Sequence, residues 1–538
     1  MQVERLDHHG VVAGVIDDLG IVEMIDEMLG TDEQEEISMG EAVKGMIING
    51  LGFSDKPVSL TPLFFEQLPV EALFRPGVKG EHFNRHKLGR TLDALHAYGC
   101  DTAFSRIAMQ ACQMESVDQR FNSLDTTSFS LTGRYDSDFD EHEIQITYGH
   151  SKDHRPDLKQ AVQEMLVSQD GGIPLLTQSH HGNANDSVIF KERAEALLKN
   201  FKQSDGPRYL IGDSKLYCKK AAPTLAQMGF ITRIPGTLKL EGEQIAKACH
   251  HPEQWRPLEQ KGYRYQSVQI EHYEMNQRWL ICSSEQARER ARKRMERHVA
   301  KELKSLDSAL LHLQANRFDS PECARRALAQ IAQTTRYHTI HEESLNIHKR
   351  YAGRGRPGPN TSVEAIEHQI TATYTSKEAE IERQVELRGC FIISTNIHET
   401  ELSDIEVFQA YKNQSKVEHG FRFLKDPLFF VSSLFLKKPA RIEALLTIMT
   451  LALLVYSVAQ RQLRKAIAQR EETIPNQINR PISTPTLRWV FQLLEGINRV
   501  IWEVDGNIQT EFIGITDLKR QLLSYFSPGV RNKYELLM

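Results

Sequence analysis

Cysteine is scarce in this chain, with seven among 538 residues and none in a C-x-x-C pair. That spacing excludes a zinc ribbon and argues against a disulfide framework, so a reduced, cytoplasmic compartment is the simplest expectation. No basic segment running into an apolar one opens the chain, and no signal peptide is expected. Long apolar runs are missing too. The most apolar stretch, 444–456, has 13 residues, whereas a membrane span needs about 20; it reads as a buried core helix. Internal repeats and long low-complexity segments are absent. The chain also lacks an excess of positive charge, its formal net charge being −5.

The distribution of charge says more than the sum. Residues 1–40 carry 11 acidic residues and one arginine, a net of −10, which leaves the remainder at +5. The cations cluster: Arg288 to Lys304 holds eight basic and three acidic residues, a second group surrounds Arg350, Arg354 and Arg356, and a third runs from Lys412 to Arg441. A polyanionic partner is compatible with this pattern. The length suggests two to four domains.

The third cluster contains the most informative segment. Tyr411, Glu418 and Lys425 recur every seven residues, with Gln414 between the first two. Seven residues is almost two helical turns, so the four side chains are expected in one stripe along a helix. A carboxylate, a cation, a phenol and an amide in line can hold a metal ion and the phosphate it acts on. Two upstream aspartates complete the set: Asp125 in Ser-Leu-Asp-Thr-Thr-Ser and Asp213 in Tyr-Leu-Ile-Gly-Asp-Ser.

On these residues the chain resembles the DDE transposases of bacterial insertion sequences. The nearest group carries a Tyr-x2-Arg-x3-Glu-x6-Lys signature, the insertion sequence 4 superfamily and its 1634 branch. Tyr411, Glu418 and Lys425 match the signature in spacing, and Gln414 stands where the family has arginine. The resemblance extends over nearly the whole chain, including 6–20, the run from Tyr148 to Gln160, and 230–235. It implies a catalytic and metal-binding triad of Asp125, Asp213 and Glu418. It also implies that Tyr411 and Lys425 hold the 5′ phosphate at a transposon end.

The coarse organisation agrees with that resemblance. Residues 1–115 read as an N-terminal helical domain for DNA binding or dimerisation; helices at 88–98 and 102–114, joined by Gly99, are compatible with helix-turn-helix geometry. Residues 116–235 read as the first part of a ribonuclease H-like α/β core. Strands are expected at 121–131, 143–148, 161–168, 208–212 and 230–234, with a helix over 188–201. On that map Asp125 lies in the first strand and Asp213 at the end of the fourth, adjacent in space. Residues 236–398 read as an insertion domain. Residues 399–470 return to the core with the catalytic helix and a packing helix, and 471–538 form a C-terminal region of short pieces.

Phosphodiester cleavage and strand joining require stabilisation of attacking and leaving oxygens together. Two divalent ions about 3.5–4 Å apart can do this, and Mg2+, for which Mn2+ can substitute, prefers carboxylate oxygens. The expected partners are double-stranded DNA, as transposon ends and target, and a second copy of the chain when two ends are paired. Further DNA contacts are expected from Lys416 and Arg422 beside the stripe. Arg354 and Arg356 in a Gly-Arg-Gly-Arg-Pro loop are suited to a narrow minor groove. Singly, each acid has an ordinary explanation, a cap or a surface ion pair; the joint pattern carries the weight. A ribonuclease H-like nuclease without strand transfer, and a non-catalytic DNA-binding protein, stand as alternatives.

Overall fold

The computed structural model describes residues 2–54, 56–133, 135, 143–203, 206–352, 356–359, 361–426, 436–504 and 507–536. Strand β1 (Gln2–Arg5) belongs to a small sheet near the chain ends. The central sheet begins with β2 (Phe121–Leu131), β3 (Lys159–Ser168), β4 (Pro174–His180), β5 (Tyr209–Gly212) and β6 (Gly229–Arg233). These five lie in the order β4-β3-β2-β5-β6. Strands β2, β3 and β4 are antiparallel, whereas β5 and β6 run parallel to β2. That order and those directions are the ribonuclease H-like arrangement. The helix Asp186–Lys202 makes the crossover from β4 to β5 and is capped by the Asn185 side chain on the Ser187 amide; such a connection is what parallel strands require.

Two sequence expectations are corrected. Residues 143–148 do not form a core strand; they contribute only an isolated bridge between Thr147 and Gln160. The third strand is instead β4, reached from β3 through a turn in which Gly171 and Gly172 both have positive φ, 85° and 70°. Glycine suits such a turn because it carries no Cβ to clash.

The sheet continues past residue 235. Strands β7 (Arg256–Pro257), β8 (Tyr263–His272) and β9 (Met275–Ser284) extend it. The following β10 (His338–Tyr351) and β11 (Val363–Ser376) pair with each other, and β12 (Cys390–Thr395) inserts between β6 and β9. The full order is β4-β3-β2-β5-β6-β12-β9-β8-β7. Part of the segment read as an insertion is therefore sheet continuous with the core. The rest, the long helix Glu285–Ala315, the helix Pro321–Thr334 and the β10–β11 hairpin, closes over a small cluster of Leu313, Ala324, Leu328 and Ile370. Trp279 is fully buried in β9, and Trp255 lies under the Arg264 guanidinium; both serve packing.

On one face of the sheet the N-terminal helices and the helix Pro439–Gln469 share a single large core. Pro439–Gln469 is long and apolar enough to cross a membrane, yet 89% of its most apolar window is buried within the protein. The expected core helix is thus found, longer than its 13-residue apolar run. Its neighbour Ser415–Leu424 packs on β2 and β3 through Gly420, where an added Cβ would lie 3.0 Å from Met165 and 3.1 Å from Leu453.

The preceding helix, Asp404–Asn413, is fixed at its N-terminal end. A capping box joins Ser403 and Glu406, satisfying backbone amides that the first turn leaves open. Beneath it Arg278 of β9 meets Asp404 at 2.7 Å and donates to the carbonyl of Leu402 at 2.6 Å. Both side chains of the pair are almost fully buried.

Candidate active site

Asp125 and Asp213 are brought together by strand register. Leu124 of β2 pairs with Gly212 of β5 in the parallel ladder, so the two aspartates are the next residues along adjacent strands, whose backbones run about 4.8 Å apart. Glu418 approaches from Ser415–Leu424, packed on β2 and β3. The three carboxylates line one open cleft of about 450 Å3 with Thr126, His150, Lys152 and Lys215.

The electrostatics agree with that convergence. Asp125 is about four-fifths buried. Burial, and secondarily the charges of Asp213 and Glu418, push its carboxyl up to about 6, against the opposing pull of Lys152 and the Thr126 amide. Burial also raises Asp213, whose side chain accepts from the Lys215 amide at 2.8 Å and whose carbonyl accepts from Thr232 Oγ1 at 2.7 Å. In both aspartates burial is the main cause of the rise, and a neighbouring carboxylate adds to it.

A second group beside the triad escaped sequence reasoning. Lys152 Nζ donates to Thr126 Oγ1 at 2.8 Å and lies 3.9 Å from Asp125 and 3.5 Å from Asp186. Asp186 accepts from Thr126 Oγ1 at 2.8 Å and pairs with Lys215. Burial alone would raise the Asp186 carboxyl, but the hydrogen bond from Lys215 and the charge of Lys152 hold it below its usual range. Lys152 falls inside the run from Tyr148 to Gln160, but no periodic pattern assigns it to the cleft. Asp186 follows the Asn185 cap at the head of a helix, where an acid has an ordinary explanation.

The expected stripe is only partly realised. The helix is interrupted at Gln414, between Asp404–Asn413 and Ser415–Leu424. Tyr411 is mostly buried near Phe391 and Arg233, and burial raises its phenol, with Asp213 and Glu418 close enough to add to the effect. Gln414 is only 6% exposed and does not line the carboxylate cleft. Lys425 lies over the Phe129 ring and donates to Asp153 at 2.7 Å. Burial lowers its ammonium pKa, with Asp125 near enough to act in the opposite direction. Lys416 and Arg422 turn away from the triad into a separate cavity. Arg356 is exposed, and Arg354 lies outside the described residues.

Oxygen ligands alone, three carboxylates from within a strand, from the end of its neighbour and from a helix, match the preference of a hard divalent ion. Among the described residues no three His, Cys, Asp or Glu side chains are gathered closely enough to hold a metal as they stand. Lys152 supplies the nearest positive charge to Asp125. The donor chemistry of the three carboxylates fits such an ion.

Fold and cleft define a ribonuclease H-like α/β chain with an acidic centre at the carboxyl ends of its parallel strands. Residues 118–455 match the Transposase DDE domain family, and the chain belongs to it. That match spans Asp125, Asp213 and Glu418. Residues 1–109 match a domain of unknown function, DUF4277. No curated protein matches the chain. Among solved structures, it is similar to a piggyBac transposase in a synaptic complex with hairpin DNA, at 9% identity and a TM-score of 0.39, over 92% of this chain and 83% of that one.

Proposed function

We propose that this chain is a DNA transposase that binds the terminal inverted repeats of its own element, cleaves at the ends and joins them to target DNA by cut-and-paste transposition. Asp125, Asp213 and Glu418 are its catalytic and metal-binding residues. The observation that carries this reading is the convergence of the three carboxylates on one cleft, within a segment belonging to the transposase DDE family. The matching signature favours the insertion sequence 4 superfamily and its 1634 branch. Cytoplasmic action and pairing of two protomers on DNA belong to the same proposal.

Bound at the triad, Mg2+, or Mn2+ in its place, would supply Lewis-acid stabilisation of the attacking and leaving oxygens. The chain's own residues prepare the site. Asp125 and Asp213 are held at fixed spacing by the β2–β5 ladder, and Glu418 is carried by a helix locked through Gly420. Lys152 tempers the repulsion among the acids and keeps Thr126 and Asp186 in place. Lys425 is a point charge for a phosphate oxygen once it exchanges Asp153 for DNA, and the Tyr411 phenol is a second proposed contact to the 5′ phosphate. Arg354 and Arg356 are proposed minor-groove contacts.

Glu418→Ala is expected to abolish metal-dependent cleavage and joining of terminal-repeat DNA while leaving repeat binding within a few-fold of wild type. The measurement is a cleavage and strand-transfer assay beside a binding titration. A parallel fall in binding would contradict the ligand role. Cleavage without joining would favour a nuclease, and binding without metal-dependent chemistry in the wild type would favour a non-catalytic DNA-binding protein.

A further inference from the structure

A second cavity lies apart from the carboxylate cleft. It measures about 840 Å3 and lies on another face of Ser415–Leu424, between that helix, the Gly171-Gly172 turn, the far half of Pro439–Gln469 and the start of Leu487–Leu493. Glu418 faces the acidic cleft, whereas Lys416, His419 and Arg422 face this one. One helix, about 10 Å across, therefore separates an acidic chamber from a basic one.

Six cations line the cavity: Lys416, Arg422, Arg461, Arg464, Lys465 and Arg488, against the carboxylates of Asp170 and Asp426. Both acids are already engaged. Asp170 meets Arg461 at 2.7 Å, and Asp426 meets Arg488. The other four cations have no carboxylate ion pair among the described residues. Arg464, half-buried, satisfies one donor on the carbonyl of Pro485 at 2.8 Å, and Lys416 donates to the carbonyl of Gln169. Cations gathered into a concave site without counterions repel one another, and an anion entering there relieves that repulsion while gaining charge-assisted hydrogen bonds. The hydroxyls of Tyr456, Ser457 and Thr486 line the same walls. Tyr456 donates to no acid there; its oxygen accepts from the Arg488 amide at 3.1 Å.

We propose that this basic cavity is a second nucleic-acid site, which grips the phosphate backbone of a DNA segment other than the one in the carboxylate cleft. The proposal deepens the transposase reading and rests on it for the presence of DNA. With the helix between them, phosphates held in the two clefts are at least about 10 Å apart and on different faces of it. Contact is with backbone rather than bases, so it adds affinity without sequence preference.

The test uses Arg464→Gln/Lys465→Gln in the full chain. Binding of a random-sequence duplex is measured by fluorescence anisotropy at salt concentrations from about 50 to 200 mM. Loss of two phosphate contacts is expected to reduce the slope of log affinity against log salt by about 2. Because Lys465 is exposed, the single variant Lys465→Glu keeps the fold and is expected to weaken binding in the same direction. Affinity and slope equal to wild type in both variants overturn the proposal. If Glu418-dependent cleavage persists in that case, this inference alone has failed. Inorganic triphosphate is the second probe. Saturable triphosphate binding lost in the double variant, with duplex binding unchanged, would assign the cavity to a free polyphosphate and overturn the DNA assignment.

Discussion

A carboxyl group buried beside two others keeps its proton to a higher pH than one in water. Asp125 is in that situation, its pKa raised to about 6 mainly by burial. A folded-state value above the unfolded one of about 3.9 favours the protonated form. The resulting stability is fully present below about pH 4 and is lost as the pH rises through about 6. In the presence of a chelator, Asp125→Asn is therefore expected to be more stable than wild type at pH 8, by roughly 1–3 kcal/mol, and indistinguishable from it at pH 4. Adding Mg2+ at pH 8 is expected to raise the melting temperature of the wild type more than that of the variant. Equal melting of the two proteins at pH 8 without metal would sink this account of Asp125. At this scale the elements that carry the acids were legible: Asp125 lies within a strand, Asp213 follows one, and Glu418 is on a helix, each of which local pattern reveals. Lys152, Lys215 and Asp186 were not. Their importance depends on which loops and helix ends face the cleft, and single residues in loops carry no periodicity.

Elements were legible where one period dominated. The helices of the N-terminal region and the apolar helix follow 3.6-residue spacing, and β2, β5 and β6 are apolar or Thr-rich runs bounded by turns. Strand β4 was obscure because Pro-Leu-Leu-Thr-Gln-Ser-His alternates weakly, with polar side chains buried by the neighbouring β3. Its Gln178 contacts Arg193, while His180 and Arg193 both meet the buried Glu164, at 2.8 and 2.6 Å. The stripe helix shows the limit of periodicity from the other direction. Spacing aligned Tyr411, Gln414, Glu418 and Lys425, but a break at Gln414 and the packing of Asp404–Asn413 on β5, β6 and β12 placed them in different surroundings. That packing depends on one ion pair. Arg278→Ala would leave Asp404 buried and uncompensated, and is expected to cost about 3–5 kcal/mol. A urea titration would measure it. A loss below about 1 kcal/mol would mean that water replaces the guanidinium and the pair is not structural.

For the whole molecule, the connection that sequence reasoning could not anticipate is between the chain's two ends. Strand β1 pairs with Asn498–Val504, which in turn pairs with Asn507–Ile513. Tyr534 is almost fully buried, donates to the Asp7 carbonyl at 2.6 Å and accepts from the Val11 amide at 3.2 Å. Gly14 lets the helix Pro528–Asn532 approach so closely that an added Cβ would lie 2.5 Å from Val530 Cα. Short pieces after a proline-rich break carry too little pattern to reveal a partner so far away in sequence. Tyr534→Ala is expected to destabilise by about 3–5 kcal/mol, and Tyr534→Phe, which keeps the ring, by about 1 kcal/mol. Chemical denaturation separates them; equal small losses would show that the two ends are not held through this ring.

The joining of the two ends also sets a clock on the protein's synthesis. At 5–20 residues per second, residues 2–5 emerge from the ribosome roughly 25–100 s before the strand that completes their sheet. During that interval the acidic N-terminal helices lack the C-terminal surface that covers them, while the carboxylate cleft is already being assembled from the middle of the chain. Until residues 498–536 emerge the helix His9–Asp18 is exposed to chaperone capture, and a stop codon before residue 498 removes the elements that cover it.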